Sequence, residues 1–172
     1  MANYISKDDS EKIQADGFGK SKPSIGDGIV KIWINVRKDS MIPSFDALTE
    51  IKIYTEDLDD QQRYTDKLLE MVTNGGGMFI EDILNLKERD VLSMLGETLE
   101  FGQAFPIPAL RALQKAVCNY FKNSGQEDRY RKATEKVICT CRHVTDLEIL
   151  DEIAKGLKTY NEISAATGLG TG

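Results

Sequence analysis

The order of hydrophobic periods along the chain predicts an α+β protein. Two stretches alternate apolar and polar residues with period two, a series of helical periodicities follows them, and a short C-terminal unit carries its own helix caps. The chain has 172 residues, 41% hydrophobic and 29% charged, which is globular composition. That length accommodates one compact domain, or a domain of about 100 residues with a small appendage.

Residues 1–24 read as a mobile arm. Ile5, Ile13 and Phe18 keep no sustained period, and Gly17, Gly19, Ser21 and Pro23 punctuate the segment. Order is expected from about Gly26. Over 29–36, Val30, Ile32, Ile34 and Val36 share one face and Lys31, Trp33, Asn35 and Arg37 the other, the pattern of a half-buried strand. Lys38, Asp39 and Ser40 make a turn, and 48–54 alternates again with Ile51 and Ile53 inward.

The period then changes to that of a helix. Tyr64, Leu68, Met71 and Val72 fall on one face over 60–72, and Asn74 followed by Gly75, Gly76 and Gly77 ends that helix. Short helices fit 80–84 and 90–95. Pro106 and Pro108 break the chain before a strong helix over 109–122, with Leu110, Leu113, Val117, Tyr120 and Phe121 as its apolar stripe.

Residues 123–134 are polar and read as a partly helical linker. The remaining 135–172 form a separate unit. Thr145 with Glu148 and Thr159 with Glu162 have the spacing of capping boxes, opening helices that Gly156 and Gly168 close. Leu147, Leu150, Ile153, Ala154, Ile163 and Ala166 are the expected inward residues. Two short helices with one apolar seam bury little, and a unit of this size generally needs a metal or cluster to hold it.

Composition excludes several classes of function. The net charge of −6 disfavours general nucleic-acid binding, because phosphate attraction supplies most non-specific affinity. No apolar run reaches the roughly 20 residues that span a bilayer, and 1–24 lacks the apolar core of a secretory signal. Three cysteines, an odd number, point to a reducing cytoplasm. With one histidine, His143, no two-histidine mechanism can operate within the chain. No nucleophile–base pair or cofactor fingerprint indicates an enzyme.

The sharpest chemical signal is Cys139-Thr140-Cys141 just ahead of a capped helix. Two thiolates one residue apart can point at one metal centre, and a helix N-terminus lowers their pKa. The plain alternative is that one of them is a small buried hydrophobe. Cys118, among Ala116, Val117 and Tyr120, reads as a core cysteine. His143 and Arg142 either tune a nearby sulfur centre or are ordinary capping and solvated side chains. Glu56, Asp57, Asp59 and Asp60 suit a hard cation or, more simply, a solvated helix start. Gly75–Gly77 lacks the Lys-Ser/Thr that a phosphate loop requires.

The run 137–146, VICTCRHVTD, then Tyr160-Asn161-Glu162-Ile163, then Thr167-Gly168-Leu169-Gly170-Thr171-Gly172, resembles the bacterioferritin-associated-ferredoxin-like [2Fe-2S] domain. In that family a C-x-C pair precedes two helices, and a glycine-rich loop delivers a C-x-x-C pair to complete the four thiolates. The resemblance makes Cys139 and Cys141 ligands of a [2Fe-2S] cluster. The family's second pair would begin just past Gly172, so the ligand set in this sequence is incomplete.

The same domain occurs in NifU-type iron–sulfur assembly proteins, after an IscU-like scaffold domain. Gly26-Asp27-Gly28, Leu69-Glu70-Met71-Val72, the segment 90–96 and the segment 109–120 are similar to that scaffold's motifs. The resemblance implies an IscU-like domain over 25–122, an antiparallel sheet packed by helices, before a small ferredoxin-like unit. It makes Asp27 a metal-site residue, although a turn aspartate bonding local backbone is the simpler account. The scaffold's three cysteines fall at Ile25, near Leu58 and near Phe105, none of which can ligate iron. The implied role is cluster assembly or carriage, with a cysteine desulfurase and apo iron–sulfur recipients as partners and a homodimer as one arrangement. Two other classes fit the sequence: a non-catalytic docking or regulatory module, and a helix-turn-helix DNA reader over 145–167, whose second helix carries no Arg or Lys to meet phosphate.

Overall fold

The computed structural model describes residues 2–23, 28–58, 61–98 and 106–171. It is α+β and divides into two compact units, 1–126 and 127–172.

The N-terminal unit is a four-stranded sheet with helices. Strand β3, Ile29–Arg37, pairs antiparallel with β4, Ala47–Glu56, putting Ile32 opposite Ile53 and Ile34 opposite Ile51. All four isoleucines are fully buried. The second period-two stretch is thus longer than the sequence indicates, and a register shift lies at Asn35/Val36. The helices are α2 (Gln62–Thr73), α3 (Ile80–Asn85), α4 (Glu88–Met94) and α5 (Pro108–Asn123). The apolar stripe of α5 is buried, as its spacing requires. From α5, Gln114 donates to the carbonyls of Ile83, Leu84 and Leu86, satisfying the C-terminal end of α3.

Residues 2–23, the described part of the expected 1–24 arm, are the main correction to the expected architecture. They are not a mobile arm: they contribute β1 (Ala2–Tyr4), α1 (Lys7–Ser10) and β2 (Gly17–Ser21). The sheet order is β1-β4-β3-β2, and β1 pairs parallel to β4, so the sheet is mixed rather than purely antiparallel. Gly17 and Gly19 are glycine because α5 lies against them. A Cβ at Gly17 would overlap the Ala116 carbonyl, and one at Gly19 the Ala112 carbonyl. On the same helix, Lys115 donates to the Lys20 carbonyl, Asn119 accepts from the Phe18 amide and Asn123 donates to the Asp16 carbonyl. Three polar residues spaced four apart thereby pair with backbone groups along the open edge of β2 and the residue before it. Phe18 also covers Trp33 at 5.2 Å between centroids, which is why Trp33 is buried on the face expected to be solvated.

The C-terminal unit opens with α6, Glu127–Thr134, over most of the segment expected to be a linker. A hairpin follows, β5 (Val137–Cys139) with β6 (Val144–Thr145), then α7 (Asp146–Ala154) and α8 (Tyr160–Thr167). Both predicted capping boxes form. The inward assignments do not all hold: Leu150 and Ile153 are 54% and 48% exposed, and Ala154 and Ala166 are exposed. Among the described residues of this unit only Cys139 and Val144 are buried hydrophobics. Periodicity locates the apolar faces, but two helices this short leave them with too little protein to pack against. Among the described residues, no helix is long and apolar enough to cross a membrane.

Candidate metal centre

The hairpin positions the site. β5 ends at Cys139 and the turn 140–143 returns the chain to Val144, which pairs with Cys139. The hairpin is anchored to α7 by a reciprocal pair: the Lys136 amide donates to Asp146 Oδ1 and the Asp146 amide to the Lys136 carbonyl, both at 2.8 Å. Cys139 is buried and Cys141 exposed, and their Sγ atoms stand 3.0 Å apart. That is far longer than a disulfide bond of about 2.05 Å. Two sulfurs each about 2.3 Å from one tetrahedral metal stand about 3.8 Å apart, so opening the pair by less than about 1 Å would seat a shared metal.

The glycine tail meets this pair. Gly168 caps α8 in the left-handed region (φ 79°), and Ser164 Oγ donates to the Leu169 carbonyl at 2.6 Å. Thr171 turns back on the Gly168 carbonyl through both its amide and its hydroxyl. Gly170 (φ 72°) brings its backbone amide near enough to Cys139 to favour the thiolate, and a Cβ on Gly170 would overlap the Tyr160 hydroxyl. The backbone angle is what favours glycine here; the overlap falls on the far end of an exposed side chain that can move aside.

The electrostatics follow from these contacts. The Cys141 thiol, then the Gly170 and Arg142 amides, stabilise the Cys139 thiolate and pull its pKa from 9.0 down to about 7. The Cys141 thiol is pushed up, chiefly by its hydrogen bond to Cys139. The pair therefore loses its first proton easily, from the buried sulfur, and holds the second. Backbone amides around a sulfur are what a thiolate ligand of iron requires, so the donor chemistry fits the implied cluster.

The other sequence candidates distribute as follows. His143 has φ 54° and its Nδ1 donates to the Thr140 carbonyl at 3.2 Å, so it closes the turn. Cys118 is half-buried on α5, and burial raises its pKa. Leu58 is buried at the end of β4, while Glu56 and Asp57 lie at that strand end rather than in the first turn of α2. Gly28 packs against the Asp57 backbone. Ile25, Asp27, Asp59, Asp60 and Phe105 lie outside the described residues. Among the described residues, no group of three or more His, Cys, Asp or Glu is placed to hold a metal ion. The site thus supplies two of the four ligands a [2Fe-2S] cluster takes. The residue that sequence reasoning misses is Gly170, whose only signal is its place in a glycine-rich tail.

Comparison with known proteins agrees with this geometry. Residues 137–172 match the family model described as BFD-like [2Fe-2S] binding domain. The match encloses the hairpin turn, both helices and the tail, and supports a [2Fe-2S] cluster as the cofactor and an iron–sulfur-related role. It does not extend to 26–121. No curated protein matches the chain.

Proposed function

We propose that this chain is an iron–sulfur cluster assembly or carrier protein of the NifU type. Cys139 and Cys141 are its cluster ligands, and the N-terminal unit is an IscU-like domain that docks partners without building clusters itself. The observation that carries the reading is the thiol pair at 3.0 Å, one member buried and one exposed, inside the matched segment. The cluster supplies one-electron chemistry and a transferable cargo; the chain supplies thiolates and amides that hold it.

The docking role is favoured by the apolar Leu58 where the scaffold resemblance puts a cysteine. In this reading the chain is not an enzyme, and sulfur is mobilised by a partner cysteine desulfurase in the cytoplasm before delivery to apo recipients. A DNA-reading role has less support, since α8 (YNEISAAT) carries no basic residue and the first turn of α7 carries Asp146 and Glu148.

Anaerobic reconstitution with iron and sulfide tests the cluster. Absorption between about 300 and 600 nm is expected, and Cys139→Ser with Cys141→Ser should abolish it. A colourless native chain, or colour that survives both substitutions, overturns the reading.

A further inference from the structure

The contact between Cys139 Sγ and Cys141 Sγ has a second chemical use. The two sulfurs at 3.0 Å need about 1 Å of closure to reach bonding distance. Cys141 sits in an exposed turn and Cys139 is buried beside it, so an external reagent meets Cys141 first. Cys118 belongs to α5 in the other unit.

We propose that in the cluster-free chain Cys139 and Cys141 form a dithiol–disulfide couple that exchanges with small disulfides of the glutathione class. The exposed Cys141 Sγ attacks one sulfur of the small disulfide, giving up its thiol proton as the mixed disulfide forms and one thiolate is expelled to take up a proton. The Cys139 thiolate then attacks Cys141 Sγ, forming the Cys139–Cys141 bond and expelling the second. Two electrons and two protons pass from the chain to the reagent, which leaves as two thiols. Because the resolving sulfur already touches the first, the mixed disulfide is short-lived. A disulfide closing so small a loop in an exposed turn is readily reduced, so the couple works as a switch rather than a structural staple. Its consequence, that the closed form refuses a cluster, rests on the proposed function; the exchange itself does not.

The test uses the full-length Cys118→Ser chain, metal-free, at graded ratios of oxidised to reduced glutathione, then maleimide labelling and intact mass. Both labels should disappear together, leaving a chain about 2 Da lighter with no accumulated glutathione adduct, and dithiothreitol should restore both. In Cys139→Ser the glutathione adduct should be trapped on Cys141. Labels that persist at every ratio, or a stable adduct on the chain with both thiols, overturn the couple. A chain that closes the disulfide yet stays colourless when reduced and reconstituted removes the cluster reading and keeps the couple. A coloured chain whose thiols never pair does the reverse.

Discussion

Replacing Gly170 by alanine is the most direct perturbation of the site that leaves both sulfurs in place. The backbone penalty is that of a non-glycine residue in the left-handed region, about 1–2 kcal/mol. The new Cβ would also displace the Tyr160 hydroxyl; that ring is 62% exposed and can swing outward, so the overlap is relieved by movement rather than by unfolding. Among the described residues of this unit the buried hydrophobics are Cys139 and Val144, so a penalty of this size competes with most of what holds the tail. The tail amide should therefore withdraw from Cys139 Sγ. Without it the half-ionisation point of Cys139 rises from about 7 toward 9.0. At pH 7 the thiolate fraction would fall from about one half toward about 1% in the limit where every stabilising contact is lost. The Cys141 contact remains, so the observed point should lie between these limits. The assay is the pH dependence of iodoacetamide alkylation at Cys139, read by peptide mass in a Cys118→Ser background. Tyr160→Phe in the same chain removes the clashing oxygen and should return part of the shift. An inflection at the same pH in the native and Gly170→Ala chains would refute the argument, as would a native chain with no inflection below the ordinary thiol range.

Two further predictions test the rest of the structure. Gly19→Val pushes a branched side chain into the Ala112 carbonyl of α5; at about 1–3 kcal/mol for overpacking, it should lower the melting temperature of the N-terminal unit by roughly 5–15 °C, whereas unchanged melting would show that β2 is not docked. Glu162 caps α8 by accepting from the Lys158 and Thr159 amides, which hold its carboxyl below the ordinary 4.5; the cap is intact above that value and is lost as pH falls through the depressed one. Helical circular dichroism of the native chain should accordingly fall at lower pH than any group of ordinary pKa would dictate, while Glu162→Gln should remove that acid-dependent step.

Much of the fold is legible in the sequence because it is encoded locally. The alternation in β3 and β4, the stripe of α5 and the two capping boxes each need only residues a few positions apart. The first 24 residues mislead because glycine there reads as loop punctuation. At Gly17 and Gly19 its meaning is close approach of a helix, and the partner atoms lie on Ala112 and Ala116, nearly a hundred residues on. A weak signal does exist: Gly17, Gly19 and Ser21 are buried while Phe18 and Lys20 are exposed, a period-two pattern written in small residues. Hydrophobicity cannot register such a strand.

The site divides the same way. A C-x-C pair is visible in sequence because both donors come from one turn. What makes one thiol differ from the other is chiefly the local hydrogen bond between them, but part of it is not local, since the Gly170 amide arrives after two helices and depends on no side chain at all. The inward assignments for Leu150 and Ile153 fail for a related reason: helical periodicity says which residues share a face but not whether anything covers that face. Here the capping boxes and the hairpin anchor fix the backbone by hydrogen bonds, while apolar burial is nearly absent among the described residues. In so small a unit, a ligand gripped by the hairpin turn would supply the tertiary restraint that the core does not. On that argument the residues that bind and the residues that fold are the same residues, and the exposed leucine and isoleucine reflect a fold organised around its site rather than around a core.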